Sequence, residues 1–166
     1  MMAMAHPKLG LRPFLPADTP LLREIFRDSI EDLTAEDYTE AQQEAWASVA
    51  DDEAKFGKRL GSQLTLVATM QGSAVGFASL AGRDTIDMLY VHPAAAGLGV
   101  GAMLADALEK LAGGRGAGKL VVDASDTARG FFEKRGYVAQ RRNSISVGDE
   151  WLANTTLTKE IKGAKP

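Results

Sequence analysis

The chain has 166 residues, 45% hydrophobic and 25% charged, which suits one globular domain and leaves little room for two. It has no cysteine, so disulfide scaffolds, cysteine-bound zinc and thiol nucleophiles are excluded, and a formal net charge of −3 argues against a nucleic-acid partner. No apolar run approaches the roughly 20 residues that span a bilayer, and residues 1–7 lack the features of a secretory signal, so no membrane partner and a cytoplasmic setting are expected.

Residues 9–14 read as a first strand. Pro16, Asp18 and Pro20 then open a helix with the apolar stripe Leu21, Leu22, Ile25, Phe26 and Ile30. A second helix begins at Thr39, where Gln42 completes a capping box, and carries Ala45, Trp46 and Val49 on one side. The polar stretch 51–59 predicts one or two further helical turns. Residues 64–70 and 74–81 are strand-like and joined by Gln71-Gly72-Ser73, a hairpin signal; Gly82-Arg83-Asp84 turns the chain into a strand over 85–91. Turns this short force an antiparallel meander, because a parallel return needs a long crossover. Val100, Met103, Leu104, Ala107, Leu108 and Leu111 mark an amphipathic helix that ends in Gly113-Gly114-Arg115-Gly116. Residues 120–122 predict a short buried strand. A helix over about 126–135 is N-capped by Ser125 and stopped by Gly136, and strands over 137–147 and 151–159 flank Gly148-Asp149. The order βαα–βββ–αβαββ, with no repeat or linker, predicts one α/β domain with a mixed sheet, spanning 1–166 with a core over about 9–160.

Charge is unevenly spread. Residues 28–53 hold ten acidic side chains and no Lys or Arg, whereas residues 115–142 hold seven basic against three acidic. One surface is expected to favour cations and another anions, or else these are two solvated helical faces of opposite sign.

The segment from Ile86 to Val91, then His92-Pro93 and Gly97-Leu98-Gly99-Val100-Gly101-Ala102, reads as strand, glycine loop and helix. Glycines let the backbone approach a ligand, and the unpaired N–H groups of a helix start suit a pyrophosphate. The spacing G-x-G-x-x-A, with Asp123 roughly 20 residues on, formally fits a dinucleotide-binding fingerprint and an NAD(P)-dependent oxidoreductase fragment. Against it, the preceding strand belongs to a meander, Pro93 lengthens the turn, and only 43 residues follow Asp123. His6 and His92 lack clustered partners, so no metal is inferred; no Gly-x-Ser-x-Gly elbow or P-loop lysine is present.

Two motifs carry a resemblance. Val91-His92-Pro93 with Ala96-Gly97-Leu98-Gly99-Val100-Gly101 matches V-x-P-x-x-(Q/R)-x-x-G-x-G/A. Ser125, Ala128 and Phe131-Phe132-Glu133-Lys134-Arg135-Gly136-Tyr137 match N-x-x-A-x-x-(F/L)-Y-E-K-x-G-F. Over about residues 10–160 the chain resembles the GCN5-related N-acetyltransferases (the GNAT superfamily), and Tyr38, Gln42 and Trp46 resemble a bacterial branch of unassigned substrate. The resemblance implies an acyl-CoA N-acyltransferase fold with a splayed pair of parallel strands, and acetyl-CoA as co-substrate. It implies that the pantetheine arm pairs with the backbone of Leu89 and Val91, that amides from Gly97 to Ala102 hold the pyrophosphate, and that Ser125 and Phe132 line the arm. Main-chain N–H groups over Leu89, Tyr90 and Val91 would stabilise the oxyanion. Two residues depart from the pattern. Ala96 replaces the usual Gln or Arg, and Phe132 replaces the Tyr that often protonates the leaving thiolate, leaving water, Ser125 or Tyr137 to do so. A thiol with a free pKa of about 8.5 leaves fairly well unaided.

An alkyl amine, with a pKa near 10.4, must lose a proton before it attacks a thioester, so a carboxylate base is expected. Strand alternation puts Asp87, Leu89 and Val91 on one face and Met88 and Tyr90 on the other, which makes Asp87 the candidate base, with a plain strand-edge charge as the competing reading. The resemblance places the first two helices at the acceptor site. There the acidic run would attract a cationic amine, and Tyr38 and Trp46 would add cation–π contacts unless Trp46 is core. Arg129, Lys134 and Arg135 would either meet a CoA phosphate or form a solvated helix end. The expected activity is acetyl transfer to an amine of a small molecule or peptide, with a homodimer left open. Ala96 and Phe132 together motivate the alternative of a non-catalytic acyl-CoA-binding regulatory domain.

Overall fold

The computed structural model describes residues 8–162; residues 1–7, with His6, and 163–166 lie outside the described residues. Strands β1 (Leu9–Pro13), β2 (Leu64–Met70), β3 (Ser73–Ala81), β4 (Thr85–Val91), β5 (Lys119–Ser125), β6 (Val138–Val147) and β7 (Glu150–Glu160) form one sheet in the order β1-β2-β3-β4-β5-β7-β6. Every neighbouring pair is antiparallel except β4 with β5. Helices α1 (Thr19–Leu33), α2 (Glu40–Ala47) and α3 (Glu53–Gly61) precede β2; α4 (Val100–Gly114) crosses from β4 to β5, and α5 (Asp126–Lys134) follows β5.

The helices divide the core in two. Leu22, Ile25, Phe26 and Ile30 of α1, with Phe56 and Leu60 of α3, bury against Val67, Phe77 and Met88 on one sheet face. Val100, Leu104 and Leu108 of α4, with Phe132 of α5, bury against Ala78, Leu80, Ile86, Leu120 and Val122 on the other. Burying a large apolar side chain contributes about 1.5–3 kcal/mol, so both clusters are major sources of stability. Leu21 departs from the expected stripe and is exposed, because its position on α1 turns away from the sheet. The capping box is present: Thr39 Oγ1 accepts from Gln42 N at 3.1 Å and Gln42 Oε1 accepts from Thr39 N at 2.9 Å. Val49 lies beyond α2 in a short 3-10 turn and is exposed. The polar stretch forms a full nine-residue α3, capped by Asp52 Oδ1 on Lys55 N. Gln71 (φ 51°) and Gly72 (φ 84°) supply the two positive dihedrals that a type I′ hairpin needs.

One irregularity shapes the centre of the sheet. β3 pairs Ser79 with Met88 but Leu80 with Ile86, so Asp87 is an extra residue, a β-bulge. The bulge breaks the simple alternation read from the sequence. Leu89 and Val91 pack with the α4 cluster, whereas Asp87 joins Met88 and Tyr90 on the α1–α3 side, where it meets Arg59 and Gln63. Gly76 stands where β3 backs this segment: an added Cβ would lie 2.9 Å from the Tyr90 carbonyl and 3.2 Å from Val100 Cγ1. Gly76→Ala should therefore destabilise the protein by about 1–3 kcal/mol through overpacking, read from the midpoint of urea unfolding.

Candidate active site

β4 and β5 share only the registered pairs Thr85↔Val121 and Ile86↔Val122. Beyond them the strands separate, while β4 stays paired to β3 and β5 to β7. Asp87 and Asp123 are the first residues past the last shared pair. His92 N donates to Val75 O at 2.8 Å, so by alternation His92 and Tyr90 direct their backbone polar groups at β3. Leu89 and Val91 therefore direct theirs into the gap, an edge without a partner strand.

Past the rim of the gap, Gly97 (φ 79°) and Gly99 (φ 86°) adopt left-handed conformations, with nothing within 4 Å of where a Cβ would project. Gly101 has a different reason: its Cβ would sit 3.4 Å from the Phe131 ring, so it permits close packing of α4 on α5. The amides of Val100, Gly101 and Ala102 open α4 and have no carbonyl four residues back within the helix. Free amides, open space and the positive end of a helix dipole fit a phosphate-bearing ligand. Leu98 and Ala96 are exposed at this loop.

A cavity of about 860 Å³ runs from this cradle through the gap to the α1–α2 side. Leu89, Tyr90, Val91, Gly97, Gly99, Val100, Gly101, Ala102, Ser125 and Phe132 all line it, together with Asp87, Tyr38 and Trp46; Leu98 does not. Ser125 Oγ accepts from Ala128 N at 3.1 Å, capping α5 while keeping its own proton free to donate. Phe132 is buried against Phe131 and Tyr137. The Tyr137 hydroxyl donates to Glu109 Oε2 at 3.0 Å within the core, and burial with the Glu109 charge pushes its phenol strongly up, which removes it as an acid for the leaving group.

The α1–α2 side of the cavity is less charged than its sequence suggests. Trp46 Nε1 donates to the Tyr90 hydroxyl at 3.2 Å, and the Trp46 ring meets Tyr38 and Tyr90 edge-on. Burial pushes the Tyr90 phenol up to about 12, which keeps it neutral and a donor at physiological pH. Tyr38 is a fastener: its hydroxyl donates to Ala153 O at 2.6 Å and accepts from Asp126 N at 2.9 Å. None of the ten acidic residues of the run lines the cavity. Asp51 pairs with Arg27, Glu53 with Arg23, Asp52 caps α3 and Asp37 accepts from Thr127, so much of the run holds elements together. Arg135 likewise pairs with Asp106 and Glu109, and Arg129 with Glu133. His92 Nδ1 accepts from Ala94 N at 3.0 Å, shaping the loop that leads to the glycines.

Among the described residues the cavity is lined by two carboxylates, Asp87 and Asp123. Arg59 grips Asp87 with both Nε (2.8 Å) and Nη2 (2.9 Å), and Gln63 Nε2 adds a third bond at 2.8 Å. Burial alone would raise the Asp87 carboxyl, but the hydrogen bonds from Arg59 and Gln63 and the Arg59 charge together hold it below the usual range. A carboxylate held this way is a weaker base than a free one, and its pairing with Arg59 and Gln63 fits the strand-edge charge that competed with the base role. Asp123, met in the sequence only as a fingerprint position, reaches the cavity through the pleat and the strand splay, which are tertiary features.

The family model of the acetyltransferase (GNAT) domain matches residues 34–153. The chain belongs to the GNAT acetyltransferase family. It is 31% identical over 146 residues to the uncharacterized N-acetyltransferase YafP of Escherichia coli (strain K12), covering 88% of this chain and 92% of that one. A GCN5-related N-acetyltransferase structure from Rhodopseudomonas palustris is 63% identical, with a TM-score of 0.91 over 97% of this chain and 99% of that one. The PaiA N-acetyltransferase of Thermoplasma acidophilum, solved in complex with coenzyme A, shares the fold at 19% identity, with a TM-score of 0.75 over 92% of this chain and 99% of that one. This GNAT chain is an acetyl-CoA-dependent N-acyltransferase, and acetyl-CoA is its co-substrate. The dinucleotide reading is overturned: the chain belongs to the GNAT family, and its glycine loop follows a strand of an antiparallel meander. Among the described residues no group could hold a metal ion and no helix is long and apolar enough to cross a membrane.

The Asp87 pair has a consequence for acid stability. With its folded pKa below the unfolded value of about 3.9, its stabilising effect is complete above that pH and vanishes as pH falls through the folded pKa. Asp87→Asn should accordingly flatten the loss of stability below about pH 4 in urea-unfolding series, relative to the parent protein.

Proposed function

We propose that the protein acetylates a primary amine of a small molecule or peptide by direct attack on acetyl-CoA held in the gap between β4 and β5. The observation that carries this reading is the two-pair contact of these strands beside an open amide cradle. In it, the pantetheine amides pair with the backbone edge of Leu89 and Val91, and the pyrophosphate rests on amides from Gly97 to Ala102. Ser125 and Phe132 flank the arm. Main-chain N–H groups of the Leu89–Val91 segment stabilise the oxyanion. Ala96 brings no side chain to the phosphates, so that grip is backbone alone. Phe132 has no proton for the thiolate, and the free Ser125 hydroxyl, or water, takes that part.

Asp87 anchors the wall of the gap through Arg59 and Gln63, and Tyr38 ties the α1–α2 loop to the start of α5 and to β7. Trp46 and Tyr90 present the aromatic surface that meets the acceptor. A cytoplasmic enzyme, alone or as a homodimer, is the setting this reading adopts.

The test is thiol release from acetyl-CoA across a panel of primary amines, with acetyl-CoA binding measured in parallel. Turnover is the expected result. Tight binding with no turnover on any amine would instead support a non-catalytic acyl-CoA-binding domain. Gly99→Ala forces a residue with a Cβ into φ 86°, at a strain of about 1–2 kcal/mol, so it should raise the acetyl-CoA Kd about five- to thirtyfold.

A further inference from the structure

The carboxylate across the gap from Asp87 is held quite differently. Asp123 pairs in register with Thr156 of β7, and both lie on the sheet face opposite the α4–α5 cluster that takes Val122 and Leu157. Thr156 Oγ1 donates to Asp123 Oδ1 at 2.5 Å. The same hydroxyl accepts from Asn143 Nδ2 at 2.8 Å, and Asn143 Oδ1 accepts from Arg141 Nε at 3.0 Å. A one-way chain of donors, Arg141 to Asn143 to Thr156, thus orients one oxygen of Asp123. The other oxygen has no hydrogen-bond partner among the described residues, and Asp123 is exposed within the cavity. Among the described residues no Arg or Lys grips it, so it keeps the lone pairs that Asp87 has committed to Arg59 and Gln63.

The space in front of it is mainly apolar, with Ser29, Thr34, Tyr38 and Asn154 among its polar members. Phe26, Ile30, Leu33, Trp46, Val49 and Ile145 line the α1–α2 side of the cavity. Leu33, Val49 and Ile145 are each more than a third exposed, which leaves an open apolar rim. A carboxylate at the floor of an apolar chamber recognises an ammonium group on an apolar body, because the body gains burial while the charge keeps a partner.

We propose that Asp123 binds the acceptor's ammonium group and takes its proton, and that the acceptor is a primary amine carried on an alkyl or aryl body. Thr156 and Asn143 are positioning residues for that carboxylate. This rests on the acetyl transfer proposed above. In the step, one N–H proton of R–NH3+ passes to Asp123 Oδ2, and the nitrogen lone pair forms the C–N bond to the thioester carbon. The C–S bond breaks, the leaving thiolate takes a proton from the Ser125 hydroxyl or water, the nitrogen's second proton replenishes that donor, and the Asp123 carboxyl returns its proton to solvent. The charged and titratable groups around Asp123 are Arg59, Asp87, Tyr38 and Tyr90 lining the cavity, Arg141 through Asn143, and the Arg142–Asp126 pair at the end of β5.

The experiment compares the parent protein with Asp123→Asn, Thr156→Val and Thr156→Ser, using 2-phenylethylamine, hexylamine and putrescine as probes. Asn keeps an oxygen for Thr156 to donate to, so the fold should survive, and an unchanged acetyl-CoA Kd checks this. The parent should prefer the two apolar amines to putrescine at least tenfold in kcat/KM. Asp123→Asn should lower kcat/KM about 10²- to 10⁴-fold and abolish its acidic limb with pH. Thr156→Val should shift that limb, and Thr156→Ser should restore it. Calorimetry of amine binding to the CoA-loaded protein gives a second readout, in which Asp123→Asn should lose at least tenfold in affinity. Unchanged amine affinity, or a retained acidic limb, in Asp123→Asn would overturn the proposal. Amine binding that depends on Asp123 without any turnover would uphold the ammonium site and overturn the acetyl-transfer reading and the proton step with it.

Discussion

Backbone N–H and C=O groups of a sheet interior normally find partners across the neighbouring strand, and leaving them unmade costs about 1–3 kcal/mol each when buried. In this fold the edge of β4 from Asp87 to Val91 has β3 on one side and no strand on the other. The cavity keeps that edge in reach of solvent or of a ligand with amides of its own. Everything else about the site follows from holding two adjacent strands apart at mid-sheet.

Each side of the gap is braced separately. On the β4 side the bulge turns Asp87 toward α3, where Arg59 and Gln63 take both carboxylate oxygens. Beside the bulge, Ser79 Oγ, opposite Met88, is buried without a partner among the described residues. On the other side the α1–α2 loop reaches over the ends of β5 and β7. Tyr38 bonds to Ala153 and Asp126, Asp37 to Thr127, and Gln42 Nε2 to Trp151 O at 2.8 Å. The two braces also separate two chemistries. The α4 side offers backbone amides suited to phosphate, and the α1–α2 side offers aromatic and aliphatic walls with carboxylates at the floor.

Much of this was legible in the residues themselves. Short turns dictated the meander, Thr39 and Gln42 marked the start of α2, and the glycines after Pro93 marked the cradle with its helix. The two family motifs then indicated fold and co-substrate. What escaped was whatever depends on partners distant in sequence. Strand alternation put Asp87 beside Leu89 and Val91, and a single bulged residue moved it to the opposite face. The acidic run read as a field for cations, but Arg23 and Arg27 of α1 fold back on Glu53 and Asp51. Tyr38 lines the cavity, but its fastening role was not legible, because its hydroxyl partners lie 88 and 115 residues away. Asp123 stood out only by its distance from the glycine loop, since its exposure comes from the splay of its neighbour and its orientation from Thr156.

The central claim is that the unpaired edge of β4 and the start of α4 grip acetyl-CoA through main-chain amides. Residue-resolved hydrogen exchange with and without acetyl-CoA tests it most directly. Strong protection of the amides of Leu89, Val91 and residues 97–102 on binding, with little change along β1 and β2, is the predicted result. Acetyl-CoA binding that leaves those amides exchanging as fast as in the free protein would contradict the account.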